Sequence, residues 1–97
     1  MPASSKPRPH WNRRTLLFRG RVLKQFGRPA PNAELILQAF EEQNWSRSID
    51  DPLPPLRGRN QKRRLHETIQ NLNRRLSLRL IIFRGDGFGK GVRWDPA

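Results

Sequence analysis

Residues 61–76, Gln-Lys-Arg-Arg-Leu-His-Glu-Thr-Ile-Gln-Asn-Leu-Asn-Arg-Arg-Leu, constrain the fold more than any other stretch. Leu65, Ile69, Leu72 and Leu76 recur at i, i+4, i+7 and i+11. At about 100° per residue, that spacing draws one narrow apolar stripe down a helix. Such a stripe must lie on a core built largely by other elements. The opposite side carries Arg63, Glu67, Gln70 and Arg74. His66 and Asn73 form one flank, Arg64 and Asn71 the other. Arg, Asn and Gln present donors and acceptors that match base edges and phosphates. The plainer reading is a solvated basic helix on a small core. Asn60 is placed to cap the first turn.

The remaining core comes from shorter elements. Arg79 to Arg84 reads as a strand, with Leu80, Ile81, Ile82 and Phe83 in a row. Gly85 to Gly91 is a loop, and Val92-Arg93-Trp94 returns with Val92 and Trp94 on one face. Residues 15–26 read as strand, turn, strand, Leu16 and Phe18 alternating before Arg19-Gly20; one bent strand is the alternative. Asn32 is a good helix cap, with Glu34 favourable in the first turn. The helix it opens runs to about Asn44. Leu35, Ile36, Leu37, Ala39 and Phe40 cover more than half its circumference, as in a central core helix, with Glu41 and Glu42 facing water. Pro52, Pro54 and Pro55 forbid a long helix in 46–60, which reads as an irregular crossing anchored by Ile49, Leu53 and Leu56. Residues 1–14 read as a flexible basic tail, able to lie along phosphates or to do nothing, with Trp11 packed back on the domain in preference to stacking on a base. The expectation is one α+β domain over 15–95, with an N-terminal hairpin or strand, two main helices and a C-terminal hairpin.

Charge narrows the partner. The chain of 97 residues carries a net +12. Residues 1–28 hold eight bases and no acid, 29–56 are net −4, and 57–97 are net +8. An acidic middle between basic ends lets one face meet a polyanion, most often nucleic acid. An anionic membrane surface would need a broad Trp/Phe/Leu helix face, which 61–76 lacks. No stretch approaches the roughly 20 apolar residues of a membrane helix, and the N-terminus has no signal-peptide core. With no cysteine there is no disulfide or thiolate site. The expected address is the cytoplasm, at the nucleoid.

Catalytic signals fail one by one. Gly85 to Gly89-Lys90 is one residue short of a phosphate loop, Gly91 replaces its Ser or Thr, and a strand follows instead of a helix. Lys90 also occupies the last glycine of G-x-G-x-x-G. His10 and His66 lack further ligands at metal-site spacing. Asp50-Asp51 precedes a proline and suits a turn. No enzyme, cofactor, metal or small-molecule substrate is expected.

The order hairpin, core helix, crossing, basic helix, glycine-tipped hairpin resembles a winged helix (winged helix-turn-helix), in particular the DNA-binding output domain of two-component response regulators. Pro31-Asn32-Ala33-Glu34-Leu35-Ile36-Leu37-Gln38-Ala39-Phe40 is similar to that family's first helix. Leu65 through Leu76, then Leu80-Ile81-Ile82-Phe83-Arg84-Gly85-Asp86-Gly87, is similar to its recognition helix and wing. Ile-Asp-Asp-Pro-Leu and Arg-Gly-Asp-Gly also resemble stretches of small bacterial proteins. Where the family has a helix between the first and recognition helices, this chain has Asp50-Asp51-Pro52-Leu53-Pro54-Pro55. No receiver domain, and so no phosphorylation input, is expected. The resemblance implies a recognition helix docked in a major groove.

The expected function is therefore nucleic-acid binding, duplex DNA before RNA, in a transcriptional regulator or nucleoid-associated factor. Arg63, Arg64, Arg74 and Arg75 would hold phosphates or bases, beside Lys62 and His66. Gln70 and Asn73 would face base edges. Lys90 and Arg93 would hold backbone from the wing, and Arg57 and Arg59 would add attraction. The alternatives are an RNA- or ribosome-binding protein and a protein-interaction winged helix that meets its partner through Glu41 and Glu42.

Overall fold

The computed structural model describes residues 7–97. The elements follow in the order β1 (His10–Asn12), β2 (Thr15–Phe18), β3 (Arg21–Gln25), α1 (Pro31–Glu42), β4 (Ser48–Asp50), α2 (Gln61–Arg74), β5 (Ile81–Gly85) and β6 (Gly91–Pro96). Two antiparallel three-stranded sheets result, ordered β1-β2-β3 and β4-β6-β5. This is the expected α+β class with two helices and a hairpin at each end.

The N-terminal sheet is built by two tight turns. Arg19 and Gly20 both take positive φ, 54° and 75°, as a two-residue hairpin turn requires. Arg13 and Arg14 do the same at 49° and 62°, without a glycine to ease it. Positive φ costs an ordinary residue about 1 to 2 kcal/mol. Here the turn sets Arg14 Nε 3.1 Å from Glu34 Oε1, and Arg14 O accepts from Phe26 N at 2.9 Å. The expected tail over 1–14 is corrected for its second half. His10–Asn12 pair with Leu17, Leu16 and Thr15, and Trp11 is buried edge-on to Phe26, ring centroids 5.3 Å apart. The side-chain alternation of Trp11, Leu16 and Phe18 makes that pairing worthwhile. Residues 1–6 of the expected tail lie outside the described residues.

Helix α1 is the centre of the core. Ala33, Ile36, Leu37 and Phe40 are buried. Its cap is Ala30, not Asn32, because Pro31 has the fixed φ that suits the first helical position. Glu34 then reaches back, its Oε2 accepting from Ala30 N at 2.9 Å. The other end holds a second correction. Glu41 does not face water: its Oε1 accepts from Trp11 N at 2.7 Å and from Trp45 Nε1 at 2.9 Å. An acid at a helix C-terminus opposes the dipole, and two donors offset that. Asn44 and Trp45 adopt positive φ, 55° and 56°, which folds the chain back so that Trp45 N meets Phe40 O at 2.7 Å. The indole then stacks on Phe40 at 4.9 Å, and its ring is edge-on to Trp94 at 6.1 Å.

The crossing 46–60 is not wholly irregular. Ser48–Asp50 form β4, which pairs with Arg93, Val92 and Gly91 of β6. Ile49 and Leu53 are buried as expected, but Leu56 is 50% exposed and anchors nothing. A Cβ on Gly91 would stand 2.6 Å from the Ile49 carbonyl oxygen, so only glycine lets β4 close on β6 there. Asp51 makes the expected turn, accepting from Leu53 N at 2.9 Å.

Helix α2 lays its stripe on this core: Leu65, Ile69, Leu72 and Leu76 are all buried, with Thr68 beside them. Asn60 caps it, Oδ1 accepting from Arg63 N at 3.0 Å. Among the described residues, no helix is long and apolar enough to cross a membrane.

Candidate nucleic-acid interface

The polar residues of α2 divide into two sets. One is consumed by the fold. Gln61 Nε2 donates to Asp51 Oδ2 at 2.7 Å and to Leu53 O at 2.9 Å. Arg64 Nη1 donates to Pro54 O at 2.9 Å and Gln61 Oε1 at 3.0 Å, so this guanidinium stitches the helix to the crossing. Asn73 is the clearest correction. Its Nδ2 donates to Phe83 O and its Oδ1 accepts from Phe83 N, both at 2.8 Å. The side-chain amide takes the place of a neighbouring strand along the open edge of β5, the edge that would otherwise pair with another chain. It is not available to a base.

The other set faces water. Lys62, Arg63, His66, Gln70 and Arg74 are all exposed. They share an arc of about 120° at about 100° per residue. Among the described residues, the ion pair on this face is Arg63 Nε to Glu67 Oε1, 3.5 Å across two well-exposed side chains. Exposed pairs of this kind contribute about 0 to 1 kcal/mol. The cations here therefore do little for the fold.

Two geometric facts join this helix face to the C-terminal hairpin. At the hairpin tip, a Cβ on Gly89 would stand 2.6 Å from Lys62 Cγ, so the Lys62 stem lies on the loop. At the other end, Arg74, Arg79, Ile81 and Ile82 line one concavity. Ile82 points to the face of the sheet opposite buried Ile81 and Phe83. That same outer face carries Arg84 directly across from Arg93. Like charges in direct cross-strand register destabilise a sheet. Asp95 offsets part of it, 3.0 Å from Arg47 Nη1 and 4.0 Å from Arg93 Nη2. Among the described residues, Arg84 has no carboxylate within the 4.0 Å of an ion pair.

The remaining expected residues separate in space. Lys90 is exposed at the tip, its carbonyl accepting from Asp51 N at 2.9 Å. Arg59 lines a groove with Arg64, Glu67 and Asn71 on the α1 side of α2, and Arg57 is exposed in the turn before it. Arg75, the C-cap, turns about 100° away from Arg74 and lines a groove with Lys24 and Phe26 of the N-terminal half. It does not join the face. Arg79 and Arg84 were missed by the reading from sequence. Alternation places Arg84 opposite Phe83, but its juxtaposition with Arg93 is a matter of register.

The loop 86–90 is held from within. Asp86 Oδ1 accepts from Phe88 N at 2.8 Å and Lys90 N at 3.3 Å. These backbone donors, Phe88 foremost, hold its carboxyl below the ordinary aspartate range. Among the described residues, no group of three or more His, Cys, Asp or Glu side chains is arranged to hold a metal. No family model, curated relative or solved structure matches this chain.

Proposed function

We propose that this chain is a duplex-DNA-binding module of winged-helix type, with α2 as the helix that enters the major groove and β5–β6 as the wing. The observation that carries this reading is the union of the α2 solvent face with the outer face of the hairpin into one basic surface. The side chains there are not needed by the fold, and Arg84 and Arg93 oppose each other at a cost that a polyanion would remove. The order helix, short strand, helix, hairpin also supports it, with β6 lying between β4 and β5. It resembles a winged helix in which the second helix is absent. The Gln61–Arg64–Asp51 network and β4 then brace α2 in place of that helix.

The dimensions agree. Fourteen helical residues span about 21 Å at about 1.5 Å each. A helix of about 10 to 12 Å in diameter fits a major groove about 12 Å wide. Lys62, Arg63, Arg74, Arg84 and Lys90 would meet phosphates, and Gln70 and His66 would face base edges. The working role is a transcriptional regulator or nucleoid-associated factor.

The test is fluorescence anisotropy of a labelled duplex of about 25 base pairs, titrated over a range of salt. An equal-length structured RNA is run beside it. Five neutralised phosphates predict a slope of log affinity against log salt of roughly −4.5. Binding that vanishes at physiological salt, or favours the RNA, would reject the reading.

A further inference from the structure

Phe88 is the most exposed large apolar side chain among the described residues, at 73%, on a loop that is otherwise held in place. Asp86 Oδ1 collects the Phe88 and Lys90 N–H groups, and Asp86 N donates to Gly91 O at 3.1 Å. Lys90 O receives Asp51 N at 2.9 Å, tying the tip to the crossing. Gly87 and Gly89, at φ +90° and +71°, allow the tight path. The fold therefore orders the backbone around a phenylalanine and leaves its ring in water. A loop backbone ordered in this way loses little further freedom on binding. Its surroundings are cationic: the Lys62 stem lies against Gly89, and Lys90 is two residues on. One aromatic ring set between cations fits the face of a base between phosphates better than the broad apolar groove of a protein partner. The Asp86 carboxylate is occupied by the loop's own N–H groups.

We propose that Phe88 is a wedge that enters a base step of duplex DNA from the wing, with Lys62 and Lys90 on the flanking phosphates. Apolar side chains inserted this way unstack the step and kink the duplex. This rests on the DNA-binding reading above and specifies what its wing does.

The experiment uses the full chain and duplexes of about 25 base pairs, each with 2-aminopurine at one step. Affinity, salt slope and 2-aminopurine fluorescence are read together for the wild-type chain, Phe88→Ala and Phe88→Trp. The wild type is expected to raise the fluorescence by unstacking the base. Phe88→Ala is expected to lose that rise and about tenfold in affinity. Its salt slope should stay unchanged, because no phosphate contact is removed. Phe88→Trp should restore the rise. Because Phe88 is exposed, all three should melt alike. Salt-dependent duplex binding with no fluorescence rise, and Phe88→Ala equal to wild type, overturns the wedge and leaves the DNA reading standing. No duplex binding at physiological salt overturns both.

Discussion

The two helices use charge in opposite ways. In α1 two of the three acids are structural: Glu34 closes the first turn on Ala30 and meets Arg14, and Glu41 accepts from Trp11 and Trp45, while Glu42 stands in water. In α2 the polar groups held by the fold are buried Thr68 and the flanking Gln61, Arg64 and Asn73. The cations between them stand in water. The difference teaches that net charge is a poor guide to where binding resides in a small domain. What matters is whether a charged group already has a partner inside the molecule.

That contrast can be broken, beginning where the fold should suffer most. Glu41→Ala strands the Trp11 amide and the Trp45 indole N–H, and should destabilise the domain by about 2 to 4 kcal/mol. Thermal melts read it directly, since each kcal/mol moves the midpoint of a domain this size by about 4 to 8 °C. A melt unchanged from wild type would mean that Glu41 is no more structural than the α2 cations. Asn73→Ala comes next, at about 1 to 3 kcal/mol, by unpairing both backbone groups of Phe83. Asn73→Asp should recover only part, because the donor to Phe83 O is still lost. If Asn73→Ala instead weakened DNA binding without moving the melt, the division of α2 into two sets would be wrong.

Acid should weaken the fold by less. The Glu34 carboxyl is held below its ordinary range, first by Ala30 N and then by Arg14, and Asp86 is held below its range by its loop. A depressed carboxyl stabilises the fold while ionised. The contribution is full above the ordinary carboxylate range, and is lost as pH falls through the folded values. Melts taken from neutral pH to about pH 3 should fall, and the double variant Glu34→Gln with Asp86→Asn should flatten the profile. Smallest for the fold is Arg63→Ala with Arg74→Ala, which should move stability by no more than about 0.5 kcal/mol. The same pair should lower duplex affinity about tenfold or more and make the salt slope shallower by roughly 2. Duplex titrations with unchanged affinity would remove α2 from the interface.

Local chemistry was readable at most places where the partner lies close in sequence, the cap of α1, at Ala30 and not Asn32, being the exception. The stripe Leu65, Ile69, Leu72 and Leu76 is buried as its spacing demands, and Asn60 caps the helix it precedes. The turn at Arg19-Gly20, the return of Trp11 to the core and the Asp51 turn are likewise as expected. β4 was hidden because Ser-Ile-Asp is a strand only by virtue of β6, more than forty residues later. Glu41 was assigned to water because one of its donors, Trp11, lies 30 residues away in a segment that resembled a tail.

The sequence by itself determined the class of the fold, the two helices, the two hairpins and the basic character of α2. Periodicity, turn residues and caps act within a few positions of one another, and their physics is local. The tertiary structure alone decided which polar groups are left over. Asn73 and Gln70 are both helical amides, yet Asn73 meets the open edge of β5 and Gln70 meets water. Arg84 and Arg93 became neighbours only through strand register, which no short stretch encodes. A binding surface is what remains after the fold has satisfied its own donors and acceptors, and that remainder is set by contacts distant in sequence.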